Sequence, residues 1–192
     1  MIVSAWRGFL YFYGLVFDSL SGCDTSDQLS ASHINRTEFP LQYLGSWYFL
    51  AAAAEPGTRA LDIFRVMDNG RFMVQESTDV EKLEFRASIR VRDEPKDGSC
   101  VPRTWIYLLT ENSTELRTEG HPDRLTELFS CHCPDCVILK ETDETTSRLL
   151  LYSRSPRLDE DCMDKFKHKS TCEGYKDVLQ LPQTLEQCPL EK

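Results

Sequence analysis

One segment constrains this chain more than any other. In Leu83-Glu84-Phe85-Arg86-Ala87-Ser88-Ile89-Arg90-Val91-Arg92, apolar side chains stand at 83, 85, 87, 89 and 91, with polar ones or a small serine between them. A period of two puts the apolar set on one face of a β-strand and the polar set on the other. It draws no continuous apolar stripe along a helix of 3.6 residues per turn.

Further strand candidates lie at 46–54, 62–68, 71–77, 101–110, 114–119, 125–130, 136–141, 147–154 and 176–181. Turn signals separate them: Asp68-Asn69-Gly70, Pro95-Lys96-Asp97-Gly98, Glu119-Gly120-His121-Pro122 and Cys133-Pro134-Asp135. Short strands joined by turns, with no helical patterns between them, predict an all-β antiparallel domain, either a meander closed into a barrel or a sandwich. One late helix is expected. Asp159-Glu160-Asp161 suits the positive end of its dipole, and Lys165, Lys167 and Lys169 follow.

Residues 1–22 read MIVSAWRGFLYFYGLVFDSLSG. A basic Arg7 before a short apolar run is the pattern of a secretory signal, and the run is shorter than the ~20 apolar residues of a comfortable membrane span. Ser19 and Ser21 offer a small-residue processing site. The segment is also rich in aromatics (Trp6, Phe9, Tyr11, Phe12, Tyr13 and Phe17), so if retained it forms an apolar arm suited to lipid. The sequence leaves both outcomes open. In the secretory pathway the 8 cysteines of this 192-residue chain read as disulfides. Asn35-Arg36-Thr37 and Asn112-Ser113-Thr114 are then glycosylation acceptors. The net charge of −9 argues against a nucleic-acid partner.

No catalytic signature is present: there is no G-x-S-x-G, P-loop or H-E-x-x-H. The densest cluster, Cys131-His132-Cys133-Pro134-Asp135-Cys136, has zinc-ligand residue types, but no second cysteine pair elsewhere completes a site, so disulfides are expected and no metal or other cofactor. Strand alternation puts Arg103, Trp105 and Tyr107 on one side of their strand, and Arg148, Leu150 and Tyr152 on one side of theirs. Facing inward, they line a cavity for an amphiphile with an apolar tail and an anionic head. Facing outward, both arginines stand in water, and alternation alone does not choose.

Two segments sharpen this reading. Phe39-Pro40-Leu41-Gln42-Tyr43-Leu44-Gly45-Ser46-Trp47-Tyr48 holds a Gly-x-Trp motif, and Leu149-Leu150-Leu151-Tyr152-Ser153-Arg154-Ser155-Pro156 ends on an arginine. Together they resemble the first and last barrel strands of the lipocalins. The resemblance implies an eight-stranded antiparallel up-and-down barrel over 23–192 with a C-terminal helix packed outside. It also implies that Arg154 stacks on Trp47, next to Gly45, to close the base. The segments 10–14, 100–107, 116–120 and 126–130 are similar to a plasma branch of that family, which implies a secreted, non-enzymatic carrier of sphingosine-1-phosphate on high-density lipoprotein, anchored there by a retained segment 1–22.

On that resemblance Arg103, Trp105 and His121 meet the phosphate, with His121 standing where the family carries an arginine. Glu141, Arg148 and Tyr152 lie near the lipid's amine and hydroxyl. The implied disulfides are Cys23–Cys172, Cys100–Cys188 and Cys133–Cys162. Cys131 and Cys136 fall outside the pattern: they pair with each other, one of them replaces Cys133, or they stay free. A carrier of another amphiphile, a retinoid or fatty acid, is the alternative within the fold. A lipocalin enzyme, using a cavity thiol, or an inhibitor is the alternative of another functional class.

Overall fold

A computed structural model of the chain describes residues 23, 29, 37–79, 81–93, 96–110 and 113–190. The N-terminal segment 1–22 and both candidate glycosylation sites, Asn35 and Asn112, lie outside the described residues. The strands follow in sequence: β1 (Gly45–Ala54), β2 (Met67–Glu76), β3 (Lys82–Asp93), β4 (Lys96–Leu109), β5 (Glu115–Thr118), β6 (His121–Ser130), β7 (Cys136–Thr142) and β8 (Ser147–Ser153). Each pairs antiparallel with the next, and β1 pairs with both β8 and β2, so the meander closes into a barrel. Helix α1 (Glu160–Cys172) and strand β9 (Asp177–Gln180) follow.

The alternation seen in the sequence is the alternation of the wall. Leu83, Phe85 and Ala87 of β3 face the interior together with Leu116, Leu128, Leu139 and Leu150 from β5 to β8. β1 departs from strict alternation. Trp47, Phe49, Ala52 and Ala54 point inward, whereas Leu50, Ala51 and Ala53 join the outer cluster. A register shift against β8 between Phe49 and Ala51 turns Leu50 and Ala51 outward in succession. The outer set receives Met163 and Phe166 of α1, three residues apart on one helix face. Short alanines there let helix and strand approach. Past Phe49, where β2 has left the edge of β1, β9 pairs with Ala51–Ala54 in its place.

Two sequence expectations are overturned. The 62–68 segment is a strand only from Met67, where β2 begins; before it, Asp62–Phe64 form a 3₁₀ turn. Period-three contacts explain it, because Asp62 takes ion pairs from both Arg59 (2.9 Å) and Arg65 (3.5 Å), and Phe64 N–H bonds Leu61 O at 3.0 Å. Nor is Asp68-Asn69-Gly70 a turn. These residues are buried within β2, at a register shift against β3. The Asp68 side chain is committed to the C-terminal tail, accepting hydrogen bonds from the Thr184 hydroxyl at 2.5 Å and the Leu185 N–H at 2.9 Å.

All eight cysteines are paired, as Cys23–Cys172, Cys100–Cys188, Cys131–Cys136 and Cys133–Cys162. The structure thus pairs Cys131 with Cys136 and leaves no free thiol for the enzyme alternative. It also consumes the three thiols of the cluster that had zinc-ligand residue types.

Candidate functional site

The barrel is filled at one end and open at the other. At the filled end, beneath the Gly45–Trp47 corner, Trp47, Val74, Leu128, Val137 and Leu139 leave a gap of only about 20 Å³. Arg154 seals that corner. Its guanidinium lies 3.8 Å from the Trp47 ring centroid and donates to Ser46 O and Gln42 O, each at 2.9 Å. Gly45 has φ +95°, and a Cβ there would come within 3.3 Å of Arg154 Nη1, so the close approach requires glycine. The Trp47 indole N–H is satisfied by Tyr43 O at 2.7 Å.

Above this floor the barrel encloses a cavity of about 870 Å³. Its deep wall is apolar and aromatic: Phe49, Phe72 and Leu150, with Trp105 stacked near Phe85 at 5.9 Å between centroids. The 3₁₀ turn brings Phe64 over this wall, 5.0 Å from Phe49. A volume and lining of this kind suit a lipid-sized ligand.

All six ligand-binding candidates from the sequence line the cavity: Arg103, Trp105, His121, Glu141, Arg148 and Tyr152, the last packed on the deep wall 5.2 Å from Phe49. Glu141 and Arg148 face each other across the β7–β8 ladder. Arg148 donates twice to Glu141 Oε2, from Nη2 at 2.6 Å and Nε at 2.8 Å, and its guanidinium covers the Phe64 ring at 4.8 Å. This pair is largely withdrawn from water, at 14% and 13% side-chain exposure, so each charge depends on the other. Burial pushes the Tyr107 and Tyr152 hydroxyls well above the ordinary phenol range, and the Glu141 carboxylate adds to that. Both are neutral hydrogen-bond donors at physiological pH. Arg103 has no carboxylate within ion-pair distance among the described residues. It is exposed, and among the described residues it donates only to Pro102 O, at 3.0 Å.

Sequence reasoning missed several lining residues, among them Phe64, Phe72 and Arg124. Phe64 was assigned to a strand that begins only at Met67. Phe72 had no motif to mark it. Arg124 fell outside because the strand was begun at 125, whereas β6 starts at His121. Counting back by twos from the inward Leu128 reaches Arg124, so alternation carried the signal.

The family model described as the ApoM domain matches residues 1–192. The chain belongs to the apolipoprotein M family. It is 42% identical over 192 residues to apolipoprotein M of Rattus norvegicus, covering 99% of this chain and 98% of the rat protein. The identity and coverage are the same for apolipoprotein M of Mus musculus. Among solved structures the siderocalin Ex-FABP superposes with a TM-score of 0.61 at 19% identity, over 76% of this chain and 98% of that one. A second siderocalin, with a dual ligand binding mode, gives 0.57 at 17% identity, over 79% and 95%. These two likenesses establish the lipocalin barrel and nothing finer. Within this member of the apolipoprotein M family the cavity therefore has an apolar depth, two neutral phenols beside one buried ion pair, and further guanidinium groups in its lining.

Proposed function

We propose that this chain is a secreted carrier of sphingosine-1-phosphate, held on high-density lipoprotein by residues 1–22. The observation that supports the ligand most is the order of groups along the cavity. The aliphatic tail lies against Phe49, Phe72 and Leu150. The ligand's ammonium meets Glu141, whose Oε1 has no partner among the described residues because Arg148 binds only Oε2. The phosphate reaches Arg103, with His121 and Trp105 beside it. Four disulfides fit an oxidising compartment.

Native mass spectrometry of secreted protein tests the ligand directly: a co-purified phosphosphingolipid supports the reading, and a retinoid or fatty acid in its place overturns it. Arg103→Gln should weaken sphingosine-1-phosphate binding about 30-fold, the loss of one charge-assisted bidentate contact. This is read by titrating Trp105 fluorescence in delipidated protein, and a change under threefold would remove Arg103 from the site. The anchor is tested by the intact mass of lipoprotein-bound protein, which should include residues 1–22. Material lacking them that still floats with high-density lipoprotein would sink that part.

A further inference from the structure

We propose that Arg124 is a second guanidinium of the head-group site, held over the cavity by Asp143. The inference rests on the phosphorylated-lipid reading above. On β6, Leu128 and Thr126 are buried inside the barrel, and Phe129 lies outside under α1. Arg124 is the next inward position toward the mouth and lines the cavity. Thr126 stands opposite Glu141 on β7, so Arg124 and Glu141 are diagonal neighbours across the β6–β7 ladder, their backbone positions roughly 7–8 Å apart.

Its orientation is imposed. Arg124 Nε and Nη2 both donate to Asp143 Oδ2, at 3.3 and 3.2 Å. Asp143 Oδ1 is held in turn by the N–H groups of Thr145 at 3.0 Å and Thr146 at 2.8 Å. One edge of the guanidinium is therefore occupied, and Nη1 has no hydrogen-bond partner among the described residues. Arg124 keeps this free edge despite its ion pair with Asp143, whereas Arg148 is held through all three guanidinium nitrogens, by Glu141 and by Ala60 O at 3.3 Å, and Glu119 is paired with Lys82 at 3.0 Å. Two guanidiniums remain for an incoming head, Arg103 on β4 and Arg124 on β6, separated only by the short β5. A phosphate monoester carries ~1.5–2 negative charges at neutral pH, more than one arginine neutralises. A carboxylate carries one. The second guanidinium thus selects for the phosphate.

The test uses the full-length, delipidated chain with two probes, sphingosine-1-phosphate and sphingosine, which differ only in the phosphate. Arg124→Gln should raise the Kd for sphingosine-1-phosphate about tenfold and leave that for sphingosine within twofold, so retained sphingosine binding doubles as the check on folding. Arg124→Lys should recover most of the loss. Equal weakening for both probes would show that Arg124 acts through cavity shape and would overturn the proposal, as would an unchanged Kd for sphingosine-1-phosphate in a chain where Arg103→Gln still weakens it. A wild-type chain that does not prefer the phosphorylated probe overturns the carrier reading itself, and this inference with it.

Discussion

Asp68→Ala should destabilise the protein by about 3–4 kcal/mol and detach the C-terminal tail from the barrel. Asp68 is fully buried, and its carboxylate accepts from the Thr184 hydroxyl, from the N–H groups of Thr184 (3.3 Å) and Leu185, and from the Asn69 amide at 3.0 Å. Its own carbonyl accepts from Gln183 N–H at 3.0 Å. Alanine removes the one acceptor these donors share and with it the tie between the buried strand and the tail. The substitution also has a pH signature. Burial alone would raise the Asp68 carboxyl, but the bonds from Thr184, Leu185 and Asn69 outweigh it, and the group sits below the ordinary carboxylate range. A lowered carboxyl contributes stability that is complete above the unfolded value of about 4 and is lost as pH falls through the folded one. The stability gap between wild type and Asp68→Asn in urea titrations should therefore be widest near pH 6–7 and narrow toward pH 3. A gap that does not change with pH would remove the carboxylate from its anchoring role.

Phe49→Ala should cost about 3–4 kcal/mol, measured by chemical denaturation of ligand-free protein. Phe49 is 2% exposed and is the hub of the cavity floor, with ring centroids 5.0 Å from Phe64, 5.2 Å from Tyr152 and 6.3 Å from Phe72. Its removal merges a new void with the existing cavity, so no neighbouring side chain closes over the gap. A cost below 1 kcal/mol would mean that the floor repacks, and the three rings would then not form a fixed wall.

The two substitutions mark the limits of what the sequence discloses. Leu83 to Val91 alternated without interruption, so β3 and its apolar face were legible; alternation also grouped Arg103, Trp105 and Tyr107 on one side of β4, but only the structure turns that side inward. The Gly-x-Trp motif and Arg154 identified the strands that meet at the closed end. Legibility failed where a residue's partner is remote in sequence. Asp68-Asn69-Gly70 has the composition of a turn, and only the tail more than a hundred residues later makes it part of a strand. Asp62 with Arg59 and Arg65 turned an apolar-looking run into a 3₁₀ turn, which is how Phe64 reached the cavity. Within the site, the Arg148–Glu141 pair depends on register between β7 and β8, which alternation does not specify. Arg124 was within reach of alternation but was lost with the start of its strand.

The cystines have a mechanical consequence. Cys23–Cys172 and Cys133–Cys162 hold the helix, and Cys100–Cys188 holds the tail. Cys131–Cys136 closes only the short turn between β6 and β7. No seam between barrel strands depends on sulfur; backbone hydrogen bonds make the container, and the cystines bind its outer fittings. A reductant therefore acts on the fittings while the wall around the cargo stays continuous, so in this design the redox state of the surroundings and the retention of a ligand are separate variables.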